Sequence, residues 1–243
     1  MGTSETTAIS AIDQLPDSRR AILVALKQRG ALTIAELAAF LTLTGEAVRQ
    51  QLRQLQQDGW IESRRVHQSE RGRTGRPATA YALSDAGDHL FPKQYDDLTV
   101  LMLDTVTKEF GPEAAAKVLA RLTEERVAAA APGMRDLSLE EKIAALKDWY
   151  LRDDPFMEAG SDRDGFRLIE RNCPFLSTAM RRPMLCSISV NALTRILGVV
   201  VDREEKFQDG DGRCVFRVHA DQPIDPDTWQ FRLEDSVPSR TRS

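Results

Sequence analysis

The segment TIAELAAFLTLTGEAVRQQLRQLQQDG, residues 33–59, decides the fold. Thr33 stands where a helix cap belongs, and Glu36 three residues later completes a capping box. A helix is therefore predicted over residues 34–41, with Ile34, Leu37, Ala38 and Leu41 at helical spacing. Thr42 and Leu43 leave room only for a short turn. Thr44 then caps another helix reaching about Asp58, and Gly59 ends it. Two short helices joined in this way form a helix-turn-helix.

The second of these helices separates its faces. Val48, Leu52 and Leu55 fall in a narrow arc and point to a core, whereas Glu46, Gln50, Arg53 and Gln57 point away, with Arg49 and Gln54 on the flanks. That outer face is rich in donors and poor in carboxylates. Glutamine can pair bidentately with adenine and arginine with guanine, which makes it a candidate base-reading surface in a major groove. Thr44, Glu46, Arg49, Gln50, Arg53, Gln54 and Gln57 are its candidate DNA-binding residues. The same pattern would also suit a merely solvated amphipathic helix, so the flanking chain has to decide.

Upstream, Ser18 is placed to cap a helix over residues 18–29 whose Ile22, Leu23 and Leu26 share a face and which Gly30 stops. Downstream, residues 60–66 and 78–83 have strand character. The loop between them, residues 67–77, is glycine-rich and carries Arg71, Arg73 and Arg76. A hairpin with a basic tip directly after a recognition helix is a wing, and its arginines can reach phosphates or a narrow minor groove. Ser84 then opens a closing helix. The whole segment closely resembles winged-helix regulators of the ArsR/MarR/DeoR-like superfamily. The resemblance is carried by residues 32–38, 46–61 and 75–84 in that order, and it implies binding to double-stranded DNA. One departure is Thr42, at a turn position where such proteins often carry glycine.

Bulk composition agrees. Residues 15–83 hold eleven Lys and Arg against six Asp and Glu, a net +5 inside a chain of net charge −4, so the remainder carries −9. A basic module joined to an acidic one suits a phosphate-binding domain with a separate partner or sensor domain. No apolar run approaches the ~18 residues of a membrane span, and no secretory leader is visible. Three cysteines exclude a full disulfide framework, and a cytoplasmic location with reduced thiols is expected. There is no catalytic triad, phosphate loop or dinucleotide fingerprint, and the chain is not expected to be an enzyme.

The expected class is α+β: a flexible tail (1–14), the winged helix-turn-helix (15–92), a helical dimerisation linker (93–152), a C-terminal α+β sensor domain (153–220) and a second flexible tail (221–243). The linker carries Leu98, Leu101, Met102, Thr105 and Val106 on one side. By analogy with other winged-helix proteins these helices pair two protomers, and a homodimer would match a palindromic operator.

Cys173, Cys186 and Cys214 sit at junctions: after a strand ending at Glu170, before an apolar helix over residues 187–197, and at the start of a strand after the turn 209–212. Such placement suits ligands converging on a metal. The spacing is not that of a zinc finger, and from the residues alone three cysteines filling a core remain an alternative. The C-terminal half, however, resembles the SufR-type regulators through Asn172-Cys173-Pro174-Phe175, Arg182-Pro183-Met184-Leu185-Cys186 and residues 210–217. That resemblance implies an iron–sulfur cluster, of 2Fe-2S or 4Fe-4S type, held by the three cysteines in a repressor of cluster-assembly genes. Some members carry a fourth cysteine near position 200, where this chain has valine. His219, five residues from Cys214, should face the other side of a strand; Asp202, Glu204, Glu205, an external thiol or water are the other candidates. Two rival functions are a winged-helix regulator sensing zinc or a small apolar ligand, and a redox or cluster-carrier protein whose winged fold is only an interaction module.

Overall fold

The structure, a computed structural model, describes residues 10–66, 78–130, 132–151, 154–162 and 165–234. The chain divides into two compact units, Met1–Gln94 and Tyr95–Ser243.

The first unit contains α1 (Asp17–Arg29), β1 (Leu32–Thr33), α2 (Ile34–Leu41), α3 (Gly45–Gln57), β2 (Ile61–Val66), β3 (Ala78–Leu83) and the short α4 (Asp85–Asp88). Its strands form one antiparallel sheet in the order β1-β3-β2. The capping box forms as the sequence predicts: the Glu36 amide donates to Thr33 Oγ1 at 3.3 Å, and the Thr33 amide to Glu36 Oε2 at 2.8 Å. Thr44 Oγ1 accepts from the Ala47 amide at 3.2 Å. Thr42 supplies the left-handed residue between the helices (φ 56°, ψ 42°), strained backbone that glycine would adopt more readily. At Gly59 (φ 76°) the chain turns from α3 into the wing, and the Trp60 amide donates back to the Leu55 carbonyl. Ile22, Leu23, Leu26, Leu37, Val48, Leu52 and Leu55 form the core. Two expectations need correction. Pro16, not Ser18, stands at the cap of α1, which begins at Asp17. Residues 10–14 are not tail: Ala11–Gln14 is a 3-10 turn whose Ile12 is buried and donates its amide to the Leu90 carbonyl.

The second unit carries α5 (Tyr95–Phe110), α6 (Pro112–Ala130), α7 (Leu139–Tyr150), β4 (Glu158–Asp162), β5 (Gly165–Glu170), α8 (Leu176–Arg181), α9 (Ser187–Leu197), β6 (Val199–Glu205) and β7 (Cys214–Pro223). Its antiparallel sheet runs β4-β5-β7-β6. Leu168, Phe216, Val218 and Val201 pack from the sheet onto Leu146, Tyr150, Leu193 and Leu197 of the helices. The helices expected to be a separate linker share this unit: Leu103, Ala115 and Leu119 pack with Leu185, Ile188 and Phe231. The core face of α5 is Val100 and Leu103. Of the predicted stripe, Leu98, Leu101 and Met102 face outward at 55%, 62% and 60% exposure, whereas Val106 packs against the cluster of Leu103, Ala115 and Leu119.

The second expected tail also needs correction over residues 221–234. β7 runs to Pro223, and the following segment, 224–234, is fastened to α9 by the buried Asn191. Its amide nitrogen donates to the Ser187 and Arg232 carbonyls (both 2.7 Å), and its Oδ1 accepts from Trp229 Nε1 (3.2 Å) and the Arg232 amide (3.0 Å). Composition read this stretch as a tail because its own residues are polar; the group that holds it lies about 40 positions earlier. Among the described residues no helix is long and apolar enough to cross a membrane.

Candidate nucleic-acid interface and candidate metal centre

On α3, Thr44, Glu46, Arg49, Gln50, Arg53 and Gln57 are exposed and Gln54 is half-buried, opposite the buried Val48, Leu52 and Leu55. Several of these side chains are engaged within the helix. Thr44 is the cap, Arg49 Nη1 lies 2.6 Å from Glu46 Oε2, and Gln54 Nε2 donates to Asp58 Oδ1 at 3.1 Å. Gln50, Arg53 and Gln57 make no hydrogen bond or ion pair among the described residues. They stand at positions i, i+3 and i+7, one stripe of the helix with its donors and acceptors unspent. The wing strands pair from Ile61↔Leu83 to Val66↔Ala78. Arg71, Arg73 and Arg76, and His67, lie outside the described residues. Arg65, exposed on β2 and not singled out from the sequence, has no partner among the described residues.

In the second unit the three cysteines line one cavity of about 20 Å³, together with Glu170, Arg203 and the apolar Phe175 and Phe216. Each thiol is positioned by a different device. Cys173 follows β5 in a bend held by the buried Asp154, whose Oδ2 accepts from the Arg171 amide at 2.8 Å and the Asn172 amide at 3.1 Å. Cys186 closes the 3-10 turn Pro183–Cys186 ahead of α9, and its Sγ accepts from Gln208 Nε2 at 3.1 Å. Cys214 opens β7, with Arg203 Nη1 3.6 Å from its Sγ. Arg203 is itself locked by a bidentate pair with Glu234, Nε to Oε1 at 2.8 Å and Nη2 to Oε2 at 2.6 Å. The guanidinium of Arg203 thus brings positive charge and donors to two of the sulfurs.

Burial pushes all three thiols up, Cys173 to about 12 with the charge of neighbouring Glu170 adding to the effect. Arg203 acts in the opposite sense on Cys186 and Cys214. Burial likewise raises the Glu170 carboxyl. Ligation of a cation replaces such protons, so the donor set fits a thiophilic metal centre and would take it up with proton release. Among the described residues no group of three or more His, Cys, Asp or Glu side chains is arranged to hold a metal ion as it stands. A cluster spreads its terminal thiolates over separate iron atoms and tolerates wider spacing than one ion does. A cavity of about 20 Å³ has room for one water-sized body.

Residues 5–72 match the family model described as MarR family. That match lies within the N-terminal unit and is what its winged helix is similar to. Among solved structures, the chain is similar to two mutants of Lactococcus lactis ZitR, one singly and one doubly substituted. Each is 21% identical over 45% of this chain and 82% of that chain, with a TM-score of 0.26. No curated protein matches. The matched MarR-family segment contains the whole of α3, and it stops short of the cysteine-bearing unit. Within the first unit the sequence had found the outward stripe of α3. In the second unit it had found the thiols but not Asp154, Arg203, Glu170 or Glu234, which position or surround them. Their signals are non-local: each acts on a segment reached only through strand pairing or chain return.

Proposed function

We propose that this chain is a homodimeric transcription regulator, a repressor, that binds operator DNA through α3 and its wing. We further propose that its affinity is set by an iron–sulfur cluster held by Cys173, Cys186 and Cys214. The observation that carries the reading is the convergence of three thiols, drawn from three separate elements of the chain, on one partly open cavity with a cation beside them. Soft thiolate donors in a largely apolar pocket with positive charge beside them are what such clusters use. The group would supply a link between β5, α9 and β7 that iron supply or oxidants can make or break. The chain's residues supply the rest. Arg203 offsets thiolate charge, Asp154 fixes the bend bearing Cys173, and Gln208 ties Cys186 to the Ala179 carbonyl. A cluster that bridges these elements would control the second site by favouring one of two conformations with different DNA affinity. The outward Leu98, Leu101 and Met102 of α5 supply an apolar surface for a second copy.

Anaerobic purification with an absorption spectrum and iron and sulfide assays tests the sensor. Both elements should be present, bleached by air and lost in Cys173→Ser. A colourless, iron-free protein after reconstitution overturns the cluster, and a DNA response to zinc would then favour the zinc reading. The DNA claim is tested separately. Arg53→Ala should relax base preference at a cost of about 1–3 kcal/mol, whereas Arg73→Ala should weaken all sequences alike and lower the salt slope by about 1. Salt-insensitive binding would favour an interaction module instead.

A further inference from the structure

Iron–sulfur clusters ordinarily take four protein ligands, and this chain has three cysteines. The acidic and imidazole groups nearest in sequence to the last cysteine are engaged elsewhere. Asp202 Oδ2 lies 2.8 Å from His219 Nε2. Glu204 takes Arg167 at 2.7 Å and Arg217 at 2.9 Å, and Glu205 takes Arg213 at 2.5 Å. The register puts Arg167, Asp202, Arg217 and His219 on the sheet face away from Leu168, Phe216 and Val218, so these pairs do not face the cavity.

Glu170 is placed differently. It ends β5 directly opposite Cys214 in the antiparallel β5–β7 ladder, so both side chains leave the sheet on the same face. It stands three residues before Cys173, lines the same cavity and is only 3% exposed. We propose that Glu170 is the fourth ligand, giving a three-cysteine, one-carboxylate site; this rests on the reading that the cysteines hold a cluster. A carboxylate this deep calls for cationic neighbours. One cation, Arg203, already lines the cavity 3.6 Å from Cys214 Sγ, and a metal-bearing group between the thiols would add to it. Oxygen ligation at one iron also makes that iron the exchangeable one, since thiolate is the softer and tighter donor.

The test uses full-length protein reconstituted anaerobically with ⁵⁷Fe and sulfide, with iron content, Mössbauer spectrum and rate of iron loss to a chelator measured on each sample. The parent should show one iron subsite distinct from the thiolate-bound ones. Glu170→Cys should keep its iron and lose that distinct subsite, and Glu170→Gln should release iron about tenfold faster or more. A Glu170→Gln protein with the parent's spectrum and release rate overturns the assignment. If its melting temperature alone falls, Glu170 is simply a buried counter-ion. A parent protein that takes up no iron, while folded by circular dichroism, overturns the cluster reading itself and the ligand with it. A parent whose iron sites are indistinguishable, an external thiol completing the three cysteines, overturns only the ligand.

Discussion

Asn191→Ala should release the C-terminal segment from α9. Asn191 is 3% exposed and its amide group makes four hydrogen bonds, three of them to the segment 224–234. Each such bond contributes about 1 kcal/mol net, so losing three costs about 3 kcal/mol. The higher helix propensity of alanine returns about half a kcal/mol. For a unit of this size each kcal/mol moves the midpoint by roughly 2–4 °C, so calorimetry should show a fall of about 5–10 °C in the transition of the second unit. Trp229→Phe, which removes one of the three bonds, should lose about a third as much. Hydrogen exchange reads the same event locally. The Arg232 amide donates to Asn191 Oδ1 and should lose protection in Asn191→Ala, while amides in the α6 helix keep theirs. An Asn191→Ala protein that melts within about 1 °C of the parent and keeps the Arg232 amide protected would show that Asn191 does not hold the segment.

The winged-helix unit gives two further predictions. A Cβ on Gly87 would lie 1.9 Å from the Trp60 carbonyl oxygen, which also accepts from the Ser84 amide at 3.1 Å, so Gly87→Ala must push backbone apart. It should cost about 3 kcal/mol and lower this unit's melting point by about 12 °C or more, whereas a fall under about 3 °C would contradict that packing. Hydrogen bonds from Lys27 and Lys93 hold the Asp88 carboxyl down from 3.8 to about 2. A depressed acid contributes stability fully above its unfolded pKa and loses it as pH falls through the folded one. The melting gap between parent and Asp88→Asn should therefore be constant above about pH 5 and close between about pH 4 and pH 2; a gap unchanged at about pH 3 would refute it.

The winged helix was legible because its determinants are local. Thr33 and Glu36, Thr44, and the triplet Val48, Leu52 and Leu55 act within one turn of where they stand, and the structure uses each as the spacing implied. Local signals misled where a competitor was equally near, as at Pro16, whose fixed φ suits it to a helix start at least as well as the hydroxyl of Ser18 does. In the α5 helix a stripe of apolar residues was visible, but periodicity could not say which apolar face meets the core. For the thiols, sequence located the bends and strand starts that bear them. That Glu170 faces the same cavity follows from the pairing of residues 170 and 214, a contact no short window contains. Asp154 next to a proline reads as an ordinary turn until the amides of residues 171 and 172 are found on its carboxylate.

The edges of the four-stranded sheet have a consequence for how the protein behaves when crowded. At one border β4 is only five residues long and has Gly160 at its centre. At the other, β6 breaks register twice, carries Asp202, Arg203, Glu204 and Glu205, and gives its Val201 amide to Thr194 Oγ1 at 3.2 Å. Short, bulged, charged or already-bonded borders are poor templates for an incoming strand. Fibrillar, strand-by-strand accretion is thereby disfavoured at both ends of the sheet. The homodimer proposed above would associate through the apolar side chains of the α5 helix instead, a surface that can saturate at two copies and stop.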